Sequence, residues 1–229
     1  MIISNTQSLQ RVPQIKVIVY GSAGVGKTVL CATTPAPFII SCEAGLLSLI
    51  DYAIPATEIN SYNEIWEALQ HSMHSPEIHT ICIDSISEIA EVLLIQHKKE
   101  NKDPRQAYLK TEEDITALFR YLRDTVNKNV YVTAKTRTMA DGVSGLLKQV
   151  PLFPGKNLPN NVPYFFDEYF ALRIGRDEQG QQFRYLQTSE SLRHGAKDRS
   201  GKLSYAEPAH LGHIFEKILQ NHPQTQPQI

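Results

Sequence analysis

The sequence has few cysteines, and none of them forms a close pair. Only three occur among its 229 residues, at Cys31, Cys42 and Cys82. No C-x-x-C pair indicates a metal site, and the odd number and wide spacing predict buried, reduced thiols in a cytoplasmic protein. The eight histidines show no ligand spacing either. We therefore expect no structural metal and no disulfide.

Long apolar runs and an excess of charge of one sign are also missing. No window approaches 18 unbroken apolar residues, so we expect no membrane span. The start, MIISNTQSLQR, lacks a basic flank followed by an apolar run, which argues against a signal peptide. The net charge of −1 excludes a generally basic nucleic-acid binder. Any DNA contact would have to come from local patches.

Short apolar runs alternate with amphipathic stretches along the chain. This alternation predicts an α/β fold with a mainly parallel central sheet and helices on both faces. We expect one domain over residues 1–220 and a disordered, polar, Pro-rich tail over 221–229. The predicted strands cover residues 14–20, 38–42, 79–84 and 130–134, and the predicted helices follow Gly26 and cover residues 62–71, 86–100, 112–127 and 208–220.

Two later regions depart from this alternation. Residues 137–163 are rich in Gly, Pro and Asn and have little periodicity, which predicts a long irregular loop of the kind that usually carries function. Residues 164–174 and 182–188 flank the turn sequence RDEQGQ, which indicates an antiparallel hairpin near the C-terminal end.

A phosphate-binding motif follows the first predicted strand. Its glycines let backbone N–H groups turn toward phosphate, its lysine reaches the β- and γ-phosphates, and its threonine hydroxyl ligates Mg²⁺. The strand before it and the helix after it are the context that this motif needs. The sequence therefore predicts an ATP–Mg²⁺ site. Its residues are Gly21, Ser22, Ala23, Gly24, Val25, Gly26, Lys27 and Thr28, followed by Val29.

Acidic residues end two of the predicted strands. Asp84 ends an apolar strand, as expected for a carboxylate that supports Mg²⁺, and Ser85 follows it instead of an acid. ATP hydrolysis needs a carboxylate to orient or deprotonate the attacking water, so the base must lie elsewhere. Glu43, at the carboxyl end of the second strand, is the first candidate. Glu88, one helical turn past Asp84, is the rival.

The chain resembles the RecA-like ATPases at the phosphate loop and at FIISCEAG, TICIDS and VYVTAKTR. In that family the base is a glutamate just after the second strand, which corresponds to Glu43. A polar residue that ends the fourth strand senses the γ-phosphate, and this position is Lys135 here, where RecA recombinases carry Gln. The resemblance therefore implies γ-phosphate sensing with a somewhat different coupling.

Downstream stretches resemble phage-encoded RecA-like proteins that anneal single strands with ATP. FFDEYF, RYLQT and AKDRSGKL carry this resemblance, which covers about residues 14–205. It implies an ATP-dependent recombination protein in a bacterial cytoplasm, with single-stranded DNA as its partner. It also implies a homo-oligomer, ring or filament, with ATP between subunits, and it allows a single-strand-binding protein as a further partner.

Lys197 and Arg199 lie two residues apart in AKDRSG, so both could project to the same side of an extended segment. In RecA filaments and hexameric helicases, a pair of this kind reaches the ATP of the neighbouring subunit. The resemblance therefore implies that these two cations act in trans on the developing phosphate charge.

The same family binds DNA through two loops. Basic residues beside aromatic rings suit single strands, because cations follow the phosphates and rings stack on bases. The corresponding regions here are residues 100–110 and 137–164. The candidate contacts are Lys102, Arg105, Tyr108 and Lys110 in the first region, and Lys148, Phe153 and Lys156 in the second.

Two other functions fit a phosphate loop. A P-loop kinase would transfer phosphate to a small molecule and would need an acceptor pocket with closing arginines. A nucleotide switch or helicase-loading partner would bind ATP with negligible turnover. The sequence leaves both alternatives open.

Overall fold

The computed structural model of the chain describes residues 14–43, 45–142 and 145–220. The predicted tail 221–229 lies outside the described residues. The strands are β1 (Lys16–Tyr20), β2 (Pro37–Ser41), β3 (Ala56–Glu58), β4 (Thr80–Asp84), β5 (Asn129–Ala134), β6 (Thr136–Ala140), β7 (Leu147–Pro151), β8 (Glu168–Arg176), β9 (Gln182–Gln187), β10 (Lys197–Asp198) and β11 (Ala206–Pro208). The α-helices are α1 (Tyr62–His74), α2 (Ile86–Glu100), α3 (Pro104–Asp124), α4 (Asn157–Asn161) and α5 (Leu211–Leu219).

The central sheet has the strand order β11-β9-β8-β1-β5-β4-β2-β3, with β10 paired to β8. Strands β1, β2, β3, β4, β5 and β8 run parallel, whereas β9, β10 and β11 are antiparallel to their neighbours. Every residue of β1 and β4 is buried, as expected for strands covered on both faces. The predicted α/β class with a mostly parallel sheet is confirmed.

Alternation along β1 divides the core into two layers. Ile18 and Tyr20 pack with α1, α2 and α3 on one face, where Phe119 of α3 is fully buried. Val17 and Val19 pack on the other face with α5 and the 3₁₀ helix that follows the phosphate loop. Because successive side chains of a strand point to opposite faces, one short strand anchors both layers. Among the described residues, no helix is long and apolar enough to cross a membrane.

Helix α3 begins at Pro104, eight residues before the predicted start. The Asp103 Oδ1 atom accepts a hydrogen bond from the Arg105 backbone N–H at 2.9 Å, and Pro104 occupies the first turn. An Asp cap followed by Pro is a strong helix start, because both suit the unpaired N–H groups there. The prediction of a loop over residues 100–110 is therefore wrong, since residues 101–103 alone separate α2 from α3.

The prediction of an irregular loop over residues 137–163 is also wrong. Strands β6 and β7 pair antiparallel from Thr136↔Pro151 to Ala140↔Leu147, and the short helix α4 follows. Both strands are largely half-buried or exposed, so they lack the clear apolar alternation that marks a strand covered by a core. The segment after the phosphate loop forms a 3₁₀ helix, Thr28–Thr33, and a second 3₁₀ helix, Leu46–Tyr52, was not predicted.

Strands β8 and β9 pair antiparallel from Ala171↔Gln187 to Arg176↔Gln182. The last residue of β1, Tyr20, pairs with Ala171, so the remainder of β8 continues beyond β1. The end of this hairpin therefore lies at the edge of the sheet from which the phosphate loop emerges.

Candidate nucleotide site

The phosphate loop leaves β1 at Tyr20 and depends on two glycines with positive φ. Gly24 has φ +72° and Gly26 has φ +105°, conformations that side chains rarely adopt. A Cβ atom on Gly26 would lie 3.1 Å from Nε of Arg184, which donates a hydrogen bond to the Val25 carbonyl at 2.8 Å. Strand β9 thus holds the phosphate loop in place through the contact of Arg184 with Val25.

Lys27 extends back over the start of the phosphate loop. Its Nζ donates to the carbonyl oxygens of Gly21 and Ser22, both at 2.9 Å. Burial lowers the pKa of Lys27, and the carboxylates of Asp84 and Glu43 oppose that shift. The two carboxylates therefore offset part of the cost of burying the ammonium, which lies against the backbone at the start of the phosphate loop.

Asp84 connects the sheet to the phosphate loop. Its Oδ2 atom accepts a hydrogen bond from the Thr28 hydroxyl at 2.6 Å, and its Oδ1 atom accepts one from the buried Thr133 hydroxyl of β5. A threonine hydroxyl and a carboxylate are hard oxygen donors, the kind that Mg²⁺ prefers. The two predicted metal residues are in direct contact, so their arrangement fits Mg²⁺.

Glu43 lies beside Asp84 because strands β2 and β4 are neighbours, with Ser41 paired to Asp84. The Ser85 hydroxyl donates a short hydrogen bond to Glu43 Oε1. The Glu43 side chain is 38% exposed, so one carboxylate is both oriented by Ser85 and open to water. A carboxylate in this position is accessible to a water molecule, which a general base needs.

Glu88 has a different environment, because it forms an ion pair with Lys135. The Lys135 Nζ atom lies 2.5 Å from Glu88 Oε2, 3.2 Å from Glu91 Oε2 and 3.9 Å from Glu43 Oε1. Burial lowers the pKa of Lys135, but the hydrogen bonds to Glu88 and Glu91 outweigh it and the pKa is raised. The predicted sensor is thus a permanent cation among three carboxylates.

A cavity of about 450 Å³ opens beside this cluster. Glu43, Glu88 and Lys135 all line this cavity at one edge of the sheet. The lining residues are Ser41, Cys42, Glu43, Glu58, Ile59, Asn60, Glu88 and Lys135.

Lys197 and Arg199 lie away from the phosphate loop of their own chain. Lys197 Nζ donates to the carbonyl oxygens of Pro163 and Phe166, and Arg199 forms an ion pair with Asp167 at 2.8 Å. Asp167 also accepts from the backbone N–H of Lys16, at the start of β1. Both cations therefore lie at the edge of the sheet opposite the phosphate loop.

The candidate DNA contacts fall into three groups. Phe153 is only 1% exposed and packs edge-on against Phe119, so its predicted role in base stacking is wrong. Lys148 is paired with Asp141 at 3.0 Å and Glu190 at 2.6 Å, which raises its pKa. Arg105, Tyr108 and Lys110 are exposed on the first turns of α3. The other exposed candidates are Lys102 and Lys156.

Sequence reasoning missed three residues that shape the site. Thr133 binds Asp84, Arg184 binds the Val25 carbonyl, and the Tyr131 hydroxyl donates to the carbonyl of Lys27 at 2.7 Å. Thr133 and Tyr131 belong to a strand that was predicted, and polar groups at alternate positions of a buried strand could have indicated them. Arg184 had no such signal, because its contact depends on the packing of a hairpin.

Comparison with known proteins agrees with this geometry. A family model described as an AAA domain matches residues 13–200, which is most of the chain. The chain belongs to this AAA-domain family. Membership indicates a P-loop domain that binds a nucleotide, usually with Mg²⁺, and hydrolyses it. No curated protein matches the chain. The more specific resemblance to phage RecA-like proteins stays a prediction.

Proposed function

We propose that this AAA-domain protein is an ATP-dependent DNA recombination protein that binds and anneals single-stranded DNA. In this proposal ATP hydrolysis takes place at the interfaces of a homo-oligomer and resets DNA binding. The observation that carries the ATPase part is a pair of hydrogen bonds beside the phosphate loop. Thr28 donates to Asp84, and the next residue, Ser85, donates to Glu43.

Each residue has one task in the proposed reaction. Lys27 and the backbone N–H groups of the loop bind the phosphates, while Thr28 and Asp84 would hold Mg²⁺. The ion would neutralise charge on the phosphate oxygens when bound with ATP. Glu43 orients a water molecule and accepts its proton. Lys135 lies 3.9 Å from Glu43, which supports a role in sensing the γ-phosphate.

The DNA part of the proposal rests on the resemblance of FFDEYF, RYLQT and AKDRSGKL to phage annealing proteins. Exposed cations near the joint between α2 and α3 support it, since phosphate neutralisation drives binding to nucleic acid. Under the same resemblance, a single-strand-binding protein is a further expected partner, and a bacterial cytoplasm is the expected location.

An ATPase assay with and without single-stranded DNA tests this function. We expect ATP turnover that rises when an oligonucleotide is added, and ATP-dependent DNA binding that weakens steeply with salt. Phosphate transfer to a small-molecule acceptor would favour the kinase alternative. ATP binding without turnover would favour the switch or helicase-loading alternative. Lys27→Ala is the matched control, because it should weaken ATP binding by about tenfold or more and abolish both responses.

A further inference from the structure

One face of the β8–β9 hairpin carries an exposed and a half-buried aromatic ring beside an arginine. Arg173 pairs with Tyr185 across the hairpin, and Gly175 pairs with Phe183. Because side chains alternate along a strand, these four residues lie on the same face. We call Arg173, Gly175, Phe183 and Tyr185 the aromatic–arginine face.

The two rings on this face are close together and held in place. Their centroids lie 5.9 Å apart, and the Arg173 guanidinium lies 5.5 Å from the centre of the Tyr185 ring. A Cβ atom at Gly175 would be 2.7 Å from the Phe183 ring, so that ring lies directly on the glycine backbone. Phe183 is nevertheless 48% exposed. One side of the ring is supported by the sheet while about half of the residue remains open to solvent.

Positive charge lies close to this face. Burial lowers the pKa of His194, and the charges of Arg173 and Arg193 lower it further, so Arg193 lies near Arg173. Arg193 is exposed and forms no ion pair among the described residues. Of the nearby carboxylates, Glu178 lies in the exposed turn at the end of the hairpin, and two others are already engaged. Asp177 accepts hydrogen bonds within its own turn, and Glu190 is paired with Lys148. The surface therefore favours a ligand that has flat rings and negative charge.

The face also adjoins the nucleotide site. Arg173 lines a cavity of about 280 Å³ that is also lined by the start of the phosphate loop, Gly21–Val25. His194 and Gln149 line the same cavity, and Gln149 belongs to the β6–β7 hairpin. A ligand on the face would thus contact a strand that borders the ATP loop, which offers a route from nucleotide to ligand.

We propose that the aromatic–arginine face binds single-stranded DNA, with bases stacked on Phe183 and Tyr185 and with arginines along the phosphates. This inference rests on the proposed function and assigns it a site. It replaces the stacking role predicted for the buried Phe153. Aromatic rings accept any base, and cations follow the backbone, so binding should be tolerant of sequence.

The first experiment compares full-length variants for binding to a labelled oligothymidine, with ATP–Mg²⁺ at low salt, by fluorescence anisotropy. The double variant Phe183→Ala, Tyr185→Ala should bind at least about tenfold more weakly, because each stacked base contributes about 1–3 kcal/mol and 1.4 kcal/mol is a factor of ten. Its ATP affinity should be unchanged. Tyr205→Ala is the matched control, since Tyr205 is 49% exposed and lies outside the face, and its DNA affinity should stay that of the wild type.

A second experiment reports on stacking itself and does not depend on removing the rings. The chain has a single tryptophan, Trp66, so a Trp66→Phe, Phe183→Trp protein carries its only indole on the face. Bases that stack on the indole should quench its fluorescence as oligothymidine is added. The quenching should saturate together with the anisotropy signal.

The outcomes separate this inference from the proposed function. If the wild type binds DNA while the double variant binds equally well, or if DNA causes no quenching at saturation, the face is not the site and the proposed function stands. If the double variant loses DNA binding because its subunits dissociate, and the indole is not quenched, the face is an interface between copies and the inference fails. A wild type that ignores DNA at low salt with ATP present overturns both.

Discussion

At the scale of single residues, Glu43 and Glu88 have the same side chain but different partners. Glu43 accepts a hydrogen bond from Ser85 and lies beside Asp84, whereas Glu88 is tied to Lys135 at 2.5 Å. The same lysine lies 3.9 Å from Glu43 Oε1, so it holds Glu88 more closely than Glu43. Glu43 therefore stays our candidate for the base, and Glu88 stays its rival.

We expect Glu43→Gln to lower the rate of ATP hydrolysis by about 10² or more while ATP binding persists. The amide keeps the shape and the contact with Ser85, but it cannot accept a proton from water. A steady-state ATPase assay combined with a fluorescent-nucleotide titration measures the two effects separately. Glu88→Gln is the matched control and should leave hydrolysis nearly intact. If the two phenotypes are exchanged, Glu88 is the base.

A buried carboxylate on the opposite edge of the sheet provides a pH-dependent prediction. Glu168 is 1% exposed, and it faces Asp198 across the β8–β10 pair. Burial, followed by the charge of Asp198, raises the pKa of Glu168 from 4.5 to about 8. The folded state therefore binds this proton more tightly than the unfolded state does.

The sign of the effect on stability follows from this difference. The contribution of protonated Glu168 is fully present below pH 4.5 and is lost as the pH rises toward 8. Glu168→Gln keeps a neutral group at every pH. Between pH 5 and pH 8.5, the free energy of unfolding of this variant should gain about 1–3 kcal/mol relative to the wild type. Urea unfolding at both pH values measures this. Glu178→Gln, in the exposed turn, is the control, and an equal trend in it would contradict the role of burial.

Residue identities in the site were predictable where chemistry restricts them. The positions of the phosphate loop, Asp84 and Glu43 at one edge of the sheet could be predicted because they follow directly from the ends of the strands, while their roles stay predictions. Phe153 was assigned to the surface because its Gly- and Pro-rich surroundings lack periodicity. Its burial against Phe119 depends on the tertiary position of the segment after β7, which a local pattern does not contain.

At the scale of elements, the sequence predicts best the strands that are buried on both faces. Strands β1, β4 and β5 are continuous apolar runs, and their positions follow from composition alone. The β6–β7 hairpin was missed because its strands form a separate two-stranded sheet with little buried surface. Pairing between such strands is decided by backbone hydrogen bonds, and these leave little trace in the pattern of side chains.

The early start of α3 should depend on its cap. We expect Asp103→Ala to lower the free energy of unfolding by about 1 kcal/mol, because the Arg105 backbone N–H loses its hydrogen-bond acceptor. Urea unfolding followed by circular dichroism measures the change. Asp103→Asn keeps a capping oxygen and should retain most of the stability, while Lys102→Ala should change it little. A loss in Asp103→Asn as large as in Asp103→Ala would contradict the cap.

At the scale of the whole molecule, the two edges of the parallel sheet carry complementary parts of the proposed site. The phosphate loop lies at the carboxyl ends of the strands, and Arg199 lies near Lys16 at the amino end of β1. Five residues of strand separate these edges, at about 3.3 Å each, so a span of about 16 Å keeps Arg199 from its own ATP. If Arg199 acts on ATP, as the resemblance implies, it must do so across a subunit boundary, in the head-to-tail ring or filament that we propose.

We expect two inactive variants to restore ATPase activity when they are mixed. A Lys27→Ala subunit should bind ATP poorly but still offer Lys197 and Arg199 to its neighbour. An Arg199→Ala subunit should bind ATP but offer a damaged pair. Each alone should be nearly inactive, because cations at the developing phosphate charge contribute about 10³ to 10⁵ in rate in comparable systems. Steady-state ATPase assays across mixing ratios measure the recovery.

Recovery of activity depends on whether Arg199 acts on the ATP of its own subunit or on that of a neighbour. In a mixed assembly, the cations of a Lys27→Ala subunit can serve the ATP of an adjacent Arg199→Ala subunit, so activity should be highest near equal amounts of the two. If Arg199 served its own ATP, every subunit would carry a defect and no ratio would restore activity. Co-assembly must be measured first by size-exclusion chromatography, because subunits that do not associate also fail to recover. Variants that co-assemble and remain inactive at every ratio would exclude action in trans, and Arg199 would then serve the subunit fold through its ion pair with Asp167.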